Sequence, residues 1–205
     1  PDGRVDQVSS GGVLVADYDY DQNANRVLVT RGALSTASVI DPATDQLVSV
    51  GSVSFAYDQA GDLVSRTDGA QITRYVYDAA GGLRRVELPD GRAVTYGLDA
   101  AGRRVERRVD GVLTQAFLYD PLVGGPVAQL DSAGGVVSRF VYGTSSVVPD
   151  YMVRGGTTYR IVRDDLGSPR LVIDAQTGTV AEELAFDEYG QTLVDTNPGL
   201  QPFGY

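Results

Sequence analysis

Phe55-Ala56-Tyr57-Asp58-Gln59-Ala60-Gly61-Asp62-Leu63 is written again, with small changes, as Tyr75-Val76-Tyr77-Asp78-Ala79-Ala80-Gly81-Gly82-Leu83. A third copy, Tyr96-Gly97-Leu98-Asp99-Ala100-Ala101-Gly102-Arg103-Arg104, follows, and Phe117-Leu118-Tyr119-Asp120 begins a fourth. The acids Asp58, Asp78, Asp99 and Asp120 are therefore 20, 21 and 21 residues apart. A fixed period of that length marks a stack of equal supersecondary units, each burying its apolar face against its neighbours.

Each period holds two turn signals. In the first, the motif Asp accepts hydrogen bonds from backbone N–H groups just ahead of it, and Gly61, Gly81 or Gly102 takes the positive φ that a side chain resists. The second is the Asp-Gly pair at Asp68-Gly69, Asp90-Gly91 and Asp110-Gly111, the mark of a two-residue hairpin loop with both φ angles positive. Between the turns run segments such as Ile72-Thr73-Arg74-Tyr75-Val76-Tyr77, β-branched and aromatic and too short for helices. One repeat is thus one β-hairpin, and the predicted fold is all-β: a curved or spiral antiparallel sheet of such hairpins.

Aromatic-x-Tyr-Asp-x-x-Gly-x-Leu at this spacing resembles the YD repeat of Rhs proteins, toxin-complex shell subunits and teneurins. A second stretch, Tyr159 to Asp174, contains Asp164-Asp165-Leu166-Gly167-Ser168-Pro169-Arg170 and is followed by Phe186-Asp187-Glu188-Tyr189-Gly190. It resembles the Rhs core segment Asp-His-Leu-Gly-Thr-Pro-Arg, with Asp165 in place of the His and Ser168 in place of the Thr. The resemblance implies a single shell segment over 1–205. Within it, 1–54 holds degenerate repeats, 55–142 the regular ones, 159–190 the Rhs-type segment and 191–205 a truncated end. It also implies a secreted or cell-surface bacterial protein. In the family an aspartyl autoprocessing site and a variable toxin follow this region; neither motif occurs here, so neither activity is assigned.

Composition narrows the chemistry. The 27 acids outweigh 17 bases for a net charge of −10, which disfavours a nucleic-acid backbone or an anionic membrane as partner. All the bases are Arg, and Cys and His are absent, so Schiff-base, thiol, zinc-finger and Ser-His-Asp chemistry lack their residues. No apolar run is long enough for a membrane-spanning helix. No catalytic, cofactor or metal residues are assigned.

The remaining chain reads as variations on the hairpin. Asp2-Gly3 and Gly11-Gly12 are expected turns, Asn23 and Asn25 replace the turn residues after Tyr20-Asp21, and Asp41-Pro42-Ala43-Thr44-Asp45 hides a divergent repeat. Asp17, Asp19, Asp21, Asn23 and Asn25 alternate as in a calcium loop. Gln22 and Leu28, however, stand where that loop needs its Gly and its bidentate Glu, and the structural reading is preferred. Arg103, Arg104, Arg107 and Arg108, with Glu87 and Glu106 near, read as a solvated face of cross-strand pairs. Asp164 and Asp165 could form a carboxylate dyad with one raised pKa, but acids recurring at turns are read as structural. Gly143 to Pro149 is expected to be an irregular loop, and Asn197 to Tyr205 a turn-rich tail.

About 20 strands at ~4.8 Å give a sheet ~95 Å wide, against the ~170 Å perimeter that encloses a cargo domain. The expected partners are therefore the rest of the same shell or copies of the chain, an enclosed toxin domain, and secretion machinery, with neither nucleic acid nor membrane insertion. Stacked tyrosines are expected to stiffen the wall. An extracellular adhesion or glycan-binding module is the competing reading.

Overall fold

The computed structural model describes residues 3–205, so the turn expected at Asp2-Gly3 begins outside the described residues. Every regular element among the described residues is a strand, and nineteen are present. Contacts divide the chain into two units that meet in sequence between Thr95 and Tyr96. The first unit holds β1 (Gln7–Ser10), β2 (Val13–Tyr20), β3 (Arg26–Arg31), β4 (Leu34–Ile40), β5 (Leu47–Val50), β6 (Val53–Tyr57), β7 (Leu63–Asp68), β8 (Gln71–Tyr77) and β9 (Leu83–Glu87). The start of β10 (Ala93–Leu98) pairs antiparallel with β9. The second unit holds β11 (Arg104–Val109), β12 (Val112–Tyr119), β13 (Pro126–Leu130), β14 (Val136–Val141), β15 (Tyr151–Arg154), β16 (Thr157–Arg163), β17 (Pro169–Asp174), β18 (Val180–Phe186) and β19 (Thr192–Asp195).

Within each unit, successive strands pair antiparallel with the next in sequence, as at β6–β7, β7–β8 and β8–β9 in the first and β15–β16, β16–β17 and β17–β18 in the second. The all-β hairpin expectation therefore holds. Period-2 alternation shows which face is covered: Val53, Phe55 and Tyr57 are half-buried while Ser54 and Ala56 between them are exposed. The same alternation half-buries Tyr75 and Tyr77 around exposed Val76, and puts buried Phe117 and half-buried Tyr119 around exposed Leu118.

The short hairpin loops depart from the Asp-Gly expectation. Only Asp110-Gly111 forms the two-residue loop as read, with φ of 50° and 81° between the paired residues Val109 and Val112. At the first pair Asp68 is still a strand residue opposite Gln71, so the loop is Gly69-Ala70. Asp90-Gly91 lies in a longer turn in which the Leu88 N–H donates to Arg92 O and the Gly91 N–H to Leu88 O, the pattern of the Asp turns with Leu88 in the acid's place. An Asp-Gly pair thus supplies the φ freedom, but the register of the flanking apolar residues decides where the chain turns.

The second unit has the denser core. Phe117, Phe140, Val148, Met152, Ile161 and Val172 form one buried cluster, with Tyr119, Tyr142, Tyr159, Leu200 and Phe203 packed against it. Two of those five lie in the tail. After β19 the Asn197-Pro198-Gly199-Leu200 turn closes with the Leu200 N–H donating to Asn197 O, and the strap that follows crosses the core face. Phe203 meets Phe140 edge-on at 4.9 Å, and an Arg154 guanidinium N–H donates to Leu200 O at 3.0 Å. The tail read as loose turns is thus a packed cover, because its Leu and Phe fill space that no strand fills.

Candidate functional site

The repeated turn is the polar constellation the sequence writes most often. At Asp58 the motif N–H donates to Asp62 O at 3.0 Å and the Gly61 N–H returns to Asp58 O at 3.2 Å. The carboxylate Oδ1 then accepts from the N–H groups of Ala60 at 2.8 Å and Asp62 at 3.0 Å. Asp78 and Asp99 repeat the whole pattern, through Ala80 and Gly82 and through Ala101 and Arg103. So do Asp131, Asp164 and Asp187 farther along, the last through Tyr189 and Gln191. Asp21 forms the same turn through Asn23 and Asn25, with Ala24 at a φ of 72° where the other turns place Gly. Its side chain is thus committed to the turn, against the calcium-loop alternative. Asp120 lacks the Gly: its Oδ1 accepts from Leu122 N–H at 2.8 Å, and the connection runs on to Pro126.

A register shift accompanies the turns at Asp21, Asp58, Asp78, Asp120, Asp131, Asp164 and Asp187. Val76 pairs with Arg85 and Tyr77 with Leu83, which leaves Arg84 bulged out of the ladder. Bulges re-aim a side chain, and here Arg84 Nε donates to Asp78 Oδ2 at 2.7 Å. In the Rhs-type segment Val162 pairs with Leu171 and Arg163 with Pro169, leaving Arg170, which donates to Asp164 Oδ2 at 2.9 Å. At Asp99 the guanidinium comes instead from the turn itself: Arg103, whose N–H closes the turn, also donates through Nε to Asp99 Oδ2 at 2.7 Å. Leu63 and Leu83 open the return strands opposite Tyr57 and Tyr77.

These bonds set the acids' ionisation. N–H donors from Gly82 and Ala80, with Arg84, hold Asp78 below the usual carboxylate range. The Arg103 N–H and guanidinium do so for Asp99. Burial works against ionisation at Asp164, but the Ser168 N–H and Arg170 outweigh it and the pKa is lowered. A dyad needs one raised value. Asp165, moreover, is exposed beside Leu166 at the turn tip while the Asp164 side chain is folded into the turn, so the two adjacent acids do not converge. Gly167 closes the turn, Ser168 and Pro169 are buried behind it, and Arg170 also lies 5.4 Å from the Phe186 ring.

The motif tyrosines act through their hydroxyls. Tyr57 donates to Leu47 O at 3.0 Å, Tyr119 to Arg104 O at 3.1 Å and Tyr142 to Pro126 O at 2.8 Å, each joining its strand to the start of the one before. Burial pushes the Tyr77, Tyr119 and Tyr142 hydroxyls up. These rings do not stack on one another: Arg103 lies 4.6 Å from the Tyr119 ring, and Arg104 lies 5.5 Å from that of Tyr96. The expected Tyr ladder is therefore a set of hydroxyl stitches and guanidinium–ring contacts. The arginine cluster is likewise engaged, along its own strand where Arg108 meets Glu106 at 2.9 Å, and across to the neighbouring strand where Arg107 donates to Thr114 Oγ1 at 3.1 Å.

Two groupings escaped the sequence reading. Asp150 ties down the loop 143–149, accepting from the Gly143 and Thr144 N–H groups, the Thr144 hydroxyl and Arg163, whose second nitrogen donates to Val148 O. The Thr144 hydroxyl and N–H, with Arg163 farther off, hold Asp150 below the usual range. Glu182 is 1% exposed, and neither carboxyl oxygen has a donor in hydrogen-bonding geometry. Burial pushes its pKa up to about 7, the neighbouring Gln201 amide only partly offsets that, and the charge of Asp195 adds to it. Its signal was in plain sight: Glu182 shares the period-2 face of Leu184 and Phe186.

The family described as Teneurin YD-shell matches residues 1–205, the whole chain. The chain belongs to that family. Mouse teneurin-4 is 26% identical over 204 residues, covering 98% of this chain and 7% of its own length. The double-stranded DNA deaminase toxin A of Burkholderia cenocepacia (strain H111) is 30% identical over 196 residues, covering 80% of this chain and 14% of the toxin. The tRNA nuclease WapA of Bacillus subtilis (strain 168) is 31% identical over 136 residues, 64% of this chain and 6% of the nuclease. The crystal structure of TcdB2-TccC3-Cdc42 aligns with 91% of this chain and 16% of its own at 11% identity and a TM-score of 0.40. This YD-shell chain thus spans a small fraction of each relative.

Proposed function

We propose that the chain is a non-catalytic wall segment of a YD shell that encloses a C-terminal toxin or effector before delivery, at the cell surface or after secretion. The observation that carries this is the one-sidedness of the repeats: Phe55, Tyr57, Tyr75, Tyr77, Phe117 and Tyr119 all take the covered face, while their turn acids close their own turns. A wall needs such a face and no singular reactive group. The relatives named as nuclease and deaminase toxins fit a shell carried with an effector, and their activities are theirs, since this chain covers 6% and 14% of them. Its partners would be the rest of the shell or further copies, the enclosed domain and the delivery machinery. Limited proteolysis of the full gene product tests this: the enclosed domain should resist digestion until urea opens the shell. Equal digestion before and after would refute it.

Teneurin similarity and the exposed Tyr151, Tyr189 and Tyr205 favour a second reading, an extracellular adhesion or glycan-binding surface. Glycan-array binding lost on replacing Tyr151 and Tyr189 by Ala would select it over enclosure.

A further inference from the structure

Glu182 stands opposite Val172 in the β17–β18 ladder, so the two side chains share a face, and both are fully buried. The 197–205 strap supplies part of the cover. Gln201 is buried beside Glu182, and its Oε1 accepts the Phe203 N–H at 2.5 Å, which leaves its NH2 end for the carboxyl group. Leu200 and Phe203 on either side pack on the Val172 cluster, and Tyr205 meets Phe186 of the same strand at 5.9 Å.

The ionisable groups on the surrounding elements do not neutralise a charge at this position. Arg154 on β15 is bonded to Leu200 O, and Arg170 on β17 to Asp164. Asp174 on β17 accepts N–H groups of its own turn, Glu183 lies next in β18 and is exposed, and Asp195 on β19 is a further negative charge. A carboxylic acid tolerates this pocket as a neutral group. A carboxylate there is a buried charge without a counter-ion, and the cheapest relief is to let water in. The strap is the removable part, because it is held by side-chain packing and by side-chain hydrogen bonds, from Arg154 to Leu200 O, from Asn197 Nδ2 to Ala181 O and from the Tyr205 hydroxyl to Glu188 O, while the strands are held by ladders.

We propose that neutral Glu182 holds the 197–205 strap over the β14–β18 face, and that ionisation of Glu182 releases it, so that the strap is a pH-governed cover. Release uncovers Phe140, Met152, Val172 and Leu184, an apolar surface available only in the more alkaline state.

The chain has no Cys, and a Cβ at Gly204 meets nothing within 4 Å, so Gly204→Cys accepts a spin label with little disturbance. Paramagnetic-resonance spectra of the labelled 205-residue chain should show an immobile label in acid and a mobile one in alkali, with a midpoint near the Glu182 value of about 7. Adding Glu182→Gln should keep the label immobile throughout. Adding Asp195→Asn should lower the midpoint, because ionisation then meets less repulsion. A label whose mobility ignores pH, or a transition that survives Glu182→Gln, overturns the proposal. If circular dichroism shows that Glu182→Gln does not fold, an unmoved midpoint in Asp195→Asn overturns it instead.

Discussion

Ala24→Gly should stabilise the protein, and Gly81→Ala should destabilise it by a similar amount. Both residues occupy the fourth position of an Asp turn, at φ of 72° and 79°. Ala24 is exposed, so its methyl group contributes no packing, and a methyl placed on Gly81 meets nothing within 4 Å. The two changes therefore isolate backbone conformation. A left-handed residue with a side chain costs about 1–2 kcal/mol, and Gly loses about 0.5–1 kcal/mol more entropy than Ala on folding. The difference leaves a net change of roughly 0.5–1 kcal/mol, favourable at residue 24 and unfavourable at residue 81. Urea unfolding followed by far-UV circular dichroism reads both, with the wild-type slope retained so that midpoints compare directly. Two changes of the same sign, or a neutral Gly81→Ala, would refute the claim that one turn geometry governs both positions.

Tyr142→Phe should cost about 1 kcal/mol in the same assay, since the Pro126 carbonyl loses its donor while the ring stays; no loss would mean the stitch is idle. Arg163→Met should loosen residues 143–149 and speed their amide hydrogen exchange, because Asp150 loses its guanidinium partner. Asp150 is held below its ordinary value of 3.8, so its contribution is full above that value and lost as pH falls through the folded pKa. Glu182 works in the opposite sense. Its pKa rises from 4.5 to about 7, so its contribution is full below 4.5 and is lost as pH rises through 7. A gap of about 2.5 units corresponds to about 3 kcal/mol. Urea midpoints of wild type should fall between those pH values and those of Glu182→Gln should stay flat.

The period was legible because Tyr57, Asp58 and Gly61 are local: the turn is built from neighbours in sequence, and the same residues rebuild it at 78 and 99. What the motif could not show was the partner of each acid's second oxygen. Arg84 and Arg170 reach Asp78 and Asp164 only because a bulge places them out of the ladder, and bulges arise from pairing, which the sequence does not print. The loop positions slipped for the same reason, with Asp68 held in its strand by pairing to Gln71. The strap and Glu182 were hidden by distance: Phe203 finds Phe140 sixty-three positions earlier, a contact no local pattern announces. The acid inside the Val180–Phe186 strand was a readable anomaly, since a carboxyl group on the face of Leu184 requires either a partner or a proton.

The proposed wall requires the motif acids to be structural closures of their own hairpins. Carbon-detected NMR titration of the aspartate carboxyl groups tests it most directly. Asp78, Asp99 and Asp164 should all titrate below the ordinary 3.8, each held down by its own turn. A member of that set titrating well above 3.8, in the range of a general acid, would contradict the account.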